Sequence, residues 1–317
     1  MEGFKMMFSI VIPVYKCSSF ILELNKRVVQ AVTALSEDFE IIYINDASPE
    51  NDWELIKILS EKDNRIKGIN FSKNFGQHKA IIAGLQHTSG NWVVVMDGDL
   101  QDQPEEIANL YFKALEGYDI VLAKRAKRKD KFFKKWFSGL FYKVLGFFTN
   151  SKFDSSIGNF GIFNEKIISA LLEFKGQVRT FRFIVGKVGF RKTAIEVKHN
   201  ERPSGKSAYN YRKLFIMAFE IIISHSNKPL ILTVILGFLI SFISFVMGAI
   251  YLYKYFAGLI LVSGYTSLIL SIWFLSGVTI FSIGIVGIYI GKIFNELKNP
   301  PLFIIDSTIG NLKKEKF

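Results

Sequence analysis

The chain has 317 residues, half of them hydrophobic, and a formal net charge of +12. That length exceeds what one ordinary soluble domain needs and leaves room for a second element. The lone cysteine, Cys17, rules out an intrachain disulfide and suits a reducing compartment. The basic surplus asks for an acidic partner; with no helix-turn-helix, zinc or RNA-binding signature in sight, anionic lipid is a more economical partner than nucleic acid.

Strand and helix patterns alternate through the first 125 residues. "FSIVIPVY" reads as a first strand, and with the residues before it forms an apolar run too short for a signal peptide. "FILELNKRVVQAVTAL" has helical spacing, and "FEIIYINDAS" is a strand ending in a polar turn. "DWELIKILSEKD" is helical, with Ser48 or Asn51 as its cap. "IKGINFS" is a third strand, "GQHKAIIAGLQHT" a helix and "NWVVVMD" a fourth strand. "PEEIANLYFKALEG" is a helix with Pro104 in its first turn, and "YDIVLAKR" is a fifth strand. Such alternation predicts a mostly parallel sheet covered on both faces, with ligands beyond the carboxyl ends of the strands. Tyr15, Asp46, Lys73, Asn74, Asp97, Asp99 and Arg125 all fall at those ends and are read as one site.

Further on, "DKFFKKWFSGLFYKVLGFF" sets aromatics at helical spacing among lysines. It fits a core helix or, as favoured here, an amphipathic helix in the membrane interface at about 130–148. A second such helix is expected at about 210–226. Pro229 to Tyr253 and Tyr255 to Gly291 contain no charged side chain. About 20 apolar residues cross a bilayer, so transmembrane helices are expected at about 230–253 and 266–291. The chain then divides into a domain at 1–228, a two-helix membrane segment at 229–292 and a basic tail at 293–317. The lysines and arginines put the domain and the tail in the cytoplasm of a multi-pass protein of the plasma (inner) membrane. Gly287-x-x-x-Gly291 permits close helix packing and leaves a homo-oligomer open.

"WVVVMDGDLQDQPEEI" gathers carboxylates at the end of an apolar strand. In an extended segment Asp97 and Asp99 point the same way and can reach one ion, with Gly98 leaving room for a ligand. Their oxygens suit Mg2+ or Mn2+, which bind substrate phosphates and neutralise a departing diphosphate. A solvated acidic turn is the alternative.

With "SIVIPVY", "INDAS", "FSKNFGQHKAIIAGL", "VVVMDGDLQDQPEEI" and "RPSGKSAYN", the chain resembles the family 2 glycosyltransferases of GT-A fold over nearly its whole length. More narrowly, it resembles the polyprenyl-phosphate glycosyltransferases, such as bactoprenol glucosyltransferases and dolichol-phosphate mannose synthases. The resemblance implies a Rossmann-like, mostly parallel sheet with helices on both faces. It implies an inverting transfer of sugar from a nucleotide-sugar, UDP-linked by default, to polyprenyl (undecaprenyl) phosphate. Pro13 and Tyr15 would shape the nucleotide pocket, Asp46 would hydrogen-bond uracil or ribose (or form an Asx turn), and Lys73 and Asn74 would line the donor site. Asp97, Asp99 and Gln101 would hold nucleotide and metal. Arg125 would face the acceptor, Lys134 and Ser138 its phosphate, and Lys134 could equally snorkel beside apolar surface. Arg202 opens a loop that would close over the diphosphate, with Lys206 and Ser207 toward the acceptor phosphate; a merely flexible basic loop is the alternative. Two positions depart from the family pattern. Cys17 stands where glutamate is usual, and Gly158-Asn159-Phe160-Gly161 replaces Gly-Asp-Phe-Arg, so a candidate base is absent. A lipid phosphate is already anionic and needs none. A transferase acting on a glycan hydroxyl, a nucleotidyltransferase and a membrane-anchored scaffold are the competing readings.

Overall fold

In the computed structural model the described residues are 7–125, 146–148, 157–174, 181–198, 219, 222–223, 226–257, 264–298 and 301–312. The expected helices at about 130–148 and 210–226 lie almost wholly outside them, as do Lys134, Ser138, Arg202, Lys206 and Ser207.

The described elements fall into two compact units. The first is an eight-stranded sheet in the order β7-β5-β6-β4-β1-β2-β3-β8. Its strands are β1 (Phe8–Val14), β2 (Phe39–Asn45), β3 (Ile66–Phe71), β4 (Trp92–Val95), β5 (Ile120–Arg125), β6 (Ile157–Asn164), β7 (Lys192–Val197) and β8 (Ile305–Ile309). β4, β1, β2 and β3 are mutually parallel, β6 runs against β4 and β5, and β8 runs against β3. Chain order reverses direction at β1, which has β2 on one side and β4 on the other; in such sheets the crevice beyond that junction is the ligand position.

The alternation of side chains along β1 explains the layering. Phe8, Ile10, Ile12 and Val14 share one core with Ile21, Leu24 and Val28 of α1 (Ile21–Thr33), Ile56 of α2 (Asp52–Lys62) and Ile107 and Leu110 of α4 (Glu106–Leu115). Val11 faces the other way. It joins Ile81, Ile82 and Leu85 of α3 (Gln77–Gln86), Ile167, Ile168 and Leu171 of α5 (Glu165–Glu173), and Ile184 of α6 (Phe181–Lys187). Every residue of β1, β2 and β4 is buried, as a strand covered on both faces requires. The mostly parallel sheet, its two helical layers and the first five strands match the sequence expectation. β6, β7 and β8 were not anticipated, and β8 places part of the expected basic tail in the sheet, where Phe303 stacks on Phe71 with ring centroids 5.1 Å apart.

The second unit holds two long helices, α7 (Lys228–Phe256) and α8 (Tyr265–Leu297), which pack against each other. Lys228–Met247 and Ser271–Asn295 are long and apolar enough to cross a membrane. Their large side chains are turned outward: Phe238 is 70% exposed and Trp273 74%. A Cβ built on Gly287 or Gly291 would meet nothing within 4 Å, so neither glycine serves the packing of α7 on α8.

Candidate active site

Four loops leave the carboxyl ends of β1, β2, β3 and β4, and side chains tie them to one another. After β1, the Cys17 N–H donates to both carboxylate oxygens of Asp52 (3.2 and 3.1 Å), a fully buried residue at the start of α2. Ser48, after β2, accepts from the Lys16 and Glu50 N–H groups, while Asn51 makes no side-chain cap bond. At the end of the β2–β3 pairing, Asn45 Nδ2 donates a hydrogen bond to Asn70 Oδ1 at 2.8 Å, and Asn70 Nδ2 donates on to Asp306 in β8 at 3.2 Å.

Asp46 is 3% exposed. Its carboxylate accepts the Phe75 N–H (2.7 Å) and the Gly76 N–H (2.9 Å), so it shapes the loop between β3 and α3. Burial pushes its carboxyl above the usual range, against the pull of those two N–H groups and of Lys79. The structure thus gives Asp46 a bracing task that neither a ribose contact nor an Asx turn anticipates. Lys73 and Asn74 are exposed on the same loop, with the Lys73 ammonium 5.2 Å from the Phe75 ring centre. Tyr15 is 43% exposed beyond β1, whereas Pro13 is buried within it opposite Ile44. If this edge takes the nucleotide that the resemblance implies, replacing Asp46 with alanine should free the loop and weaken nucleotide affinity about tenfold, with a smaller change in kcat; titration of nucleotide against both proteins measures it.

The acidic loop after β4 divides its labour. Asp102 is buried, and its carboxylate accepts the Asp97 N–H at 3.2 Å, so the third aspartate braces the backbone that carries the first. Asp99 accepts the Gln101 N–H at 3.2 Å in a tight turn. Asp97 accepts from Gln77 Nε2 at 2.6 Å and from Asn159 Nδ2 at 3.4 Å. Gly98 does not open space for a ligand as expected: a Cβ there would lie 3.0 Å from Val14 and 3.1 Å from the Pro13 carbonyl, so glycine lets the loop approach β1. Gly161 has a similar reason. A Cβ at that position would meet the Val121 carbonyl at 2.8 Å, so the family's arginine does not fit here without a shift of β5.

Backbone strain concentrates on the same edge. Lys16, Ala47 and Leu100 are the described non-glycine residues with left-handed φ (57°, 47° and 58°), and they follow β1, β2 and β4. Each costs about 1–2 kcal/mol, and such strain gathers at ligand sites.

Among the described residues no three His, Cys, Asp or Glu side chains converge as a metal cage. The donor chemistry nevertheless fits a hard cation. Asp97, Asp99 and Gln101 carry oxygen donors on one short loop, and Mg2+ or Mn2+ generally completes such a shell with water and substrate phosphates. Gln77 was missed from the sequence; the available signal was its place as first residue of α3, at the carboxyl edge, directly after Gly76. Arg125 is the last residue of β5.

Taken together, a mostly parallel sheet with a direction change at β1 and a braced acidic loop at its carboxyl edge define a Rossmann-like α/β domain with a candidate ligand site at that edge. Residues 9–197 match the model of glycosyl transferase family 2, and the chain belongs to that family. The uncharacterized glycosyltransferase YkcC of Bacillus subtilis is 35% identical over 96% of this chain and 94% of its own. A SfII prophage-derived bactoprenol glucosyl transferase of Shigella flexneri is 34% identical over 95% of this chain and 97% of its own. The undecaprenyl-phosphate 4-deoxy-4-formamido-L-arabinose transferase of Proteus mirabilis is 29% identical over 97% and 95%. Among solved structures, a mannosyltransferase of Pyrobaculum calidifontis aligns over 70% of this chain and 64% of its own, with 15% identity and a TM-score of 0.45. Likeness that remote carries no functional weight.

Proposed function

We propose that this chain moves a sugar from a nucleotide-sugar, UDP-linked by preference, to polyprenyl (undecaprenyl) phosphate at the cytoplasmic face of the plasma membrane. One observation carries the reading: full-length likeness to bactoprenol and undecaprenyl-phosphate sugar transferases, in a chain that itself has two helices of bilayer length. A polyprenyl tail stays in the bilayer, at about 0.8 kcal/mol per buried CH2, so its phosphate has to be met at the interface.

An oxygen of the lipid phosphate bonds to the anomeric carbon while the bond from that carbon to the diphosphate breaks. The nucleoside diphosphate leaves with the electron pair, and the configuration inverts. The second pKa of a phosphate monoester is about 6, so the attacking oxygen is anionic at neutral pH and no side chain need take a proton. Asn159 in place of aspartate agrees with that. Asp97 and Asp99, with Gln101, would hold a divalent cation, which when bound offsets charge on the leaving diphosphate. Tyr15, Lys73 and Asn74 would bind the donor around a loop held by Asp46. Arg125 and Arg202, with Lys134, Ser138, Lys206 and Ser207 toward the acceptor phosphate, would bring two anions together and so supply position and charge.

The test is a panel of nucleotide-sugars offered with undecaprenyl phosphate and Mg2+ or Mn2+, reading radiolabel in the lipid fraction. One donor should label the lipid, and chelator should abolish the label. Transfer to a sugar hydroxyl with undecaprenyl phosphate inert would refute the proposal.

A further inference from the structure

β6 lies antiparallel to β4, with Val95 opposite Gly161. Two residues beyond that pair, the same register sets Asn159 against Asp97, and the Asn159 Nδ2 donates to Asp97 Oδ1. An ionised carboxylate only accepts hydrogen bonds, so the amide has one admissible orientation: NH2 toward Asp97, carbonyl away from it. That carbonyl oxygen, Asn159 Oδ1, is buried and has no hydrogen-bond partner. The residue is 8% exposed. Buried acceptors left unpaired are costly and uncommon, and they call for a specific explanation.

We propose that Asn159 Oδ1 is a substrate contact that accepts a hydrogen bond from an O–H of the bound donor complex. This rests on the donor-site reading given above. The occupant is an O–H donor because a phosphate oxygen would meet a carbonyl dipole and the Asp97 charge, both repulsive. Two sources share that chemistry: a hydroxyl of the transferred sugar, and a water on the cation beside Asp97. Gln77, which donates to the same Asp97 oxygen at 2.6 Å, keeps that carboxylate in place and separates its anchoring from the second task of Asn159. Asn159 therefore turns one face to the carboxylate and the other to the ligand.

Calorimetric titration of the full chain in detergent with UDP and with UDP-glucose, each with Mn2+, tests the contact in wild type, Asn159→Ala and Gln77→Ala. If the sugar supplies the hydroxyl, Asn159→Ala lowers affinity for UDP-glucose about tenfold and leaves UDP unchanged. If a cation-bound water supplies it, both affinities fall by the same factor. In either case Asn159→Ala removes an unpaired buried acceptor together with one 3.4 Å bond to Asp97, so the affinity change is accompanied by little change in the melting temperature of the ligand-free protein, and Gln77→Ala, which breaks the shorter bond to the same oxygen, leaves the ratio of UDP-glucose to UDP affinity unchanged. Unchanged affinity for both ligands, in a variant whose wild-type parent binds both, overturns the proposal. So does a lowered melting temperature with unchanged affinity, which marks a purely structural amide. A wild-type chain that binds neither ligand refutes the UDP-sugar reading of the donor site on which the proposal rests.

Discussion

Asp99→Asn is expected to reduce sugar transfer about a thousandfold while leaving the fold intact. The choice of asparagine over alanine decides what is being measured. The Asp99 carboxylate accepts the Gln101 N–H at 3.2 Å, and Leu100 between them sits at φ 58°, so an alanine would release a strained turn as well as remove a charge. An asparagine carbonyl can still accept that N–H, and asparagine stands as well as aspartate in such turns. What it loses is the negative charge proposed to hold a divalent cation against a diphosphate. Transfer of labelled sugar to lipid, followed across added Mn2+, reads the effect; the loss should persist at saturating metal if the charge also orients the diphosphate. An Asp99→Asn protein with wild-type turnover would reduce the acidic loop to a solvated turn and take the catalytic reading with it.

The largest loss of stability is expected from Glu40→Ala, about 3–5 kcal/mol. Glu40 is 1% exposed at the amino-terminal end of β2. One of its oxygens accepts the Ser9 hydroxyl (2.5 Å) and the Ser89 N–H (2.6 Å), and the other takes the Lys67 ammonium at 2.5 Å. Ser9, Glu40 and Lys67 belong to β1, β2 and β3, so one carboxylate joins three neighbouring strands and the turn into β4. Removing it leaves the Lys67 charge, whose side chain is 13% exposed, without this partner. For a domain of this size the melting temperature should fall by roughly 10 °C, as a thermal scan would show. Glu40 lies at the opposite end of the strands from the acidic loop, so donor affinity of the protein that remains folded should be unaltered. A change in affinity at constant stability would contradict that separation.

The contrast between these two carboxylates shows what can be read from sequence. The run "WVVVMDGDLQDQ" announces both a buried strand and its acidic end, because composition and local order suffice. β1 to β5 and their helices were legible for the same reason: apolar runs of the right length, punctuated by polar turns. β6 was not, since "IGNFGIFN" carries two glycines and two asparagines, and β8, "IDSTI", is short, polar and at the edge. Both enter the sheet through partners distant in the chain, and pairing register is not written in either strand alone. The site shows the same division. Asp97 and Asp99 are visible as a motif, yet the acceptor side of Asn159 depends on β6 running against β4. The bracing roles of Asp46, Asp52 and Asp102 depend on which backbone N–H groups the fold brings to them. Glu40 in "DFEII" gives no hint of burial, because it is an ordinary charged letter until three strands close around it.

β8 carries one more consequence. The sheet takes strands from before α7 and from after α8, so both ends of the helical pair must finish in the same aqueous compartment. Any passage of α7 through a lipid bilayer has to be undone by α8, whatever the charges flanking them dictate. A chain in which only one of the two inserted would strand Ile305–Ile309 on the wrong side and leave β3 with an open edge. If the pair enters a bilayer, closure of the sheet therefore requires that both helices cross it or that neither does.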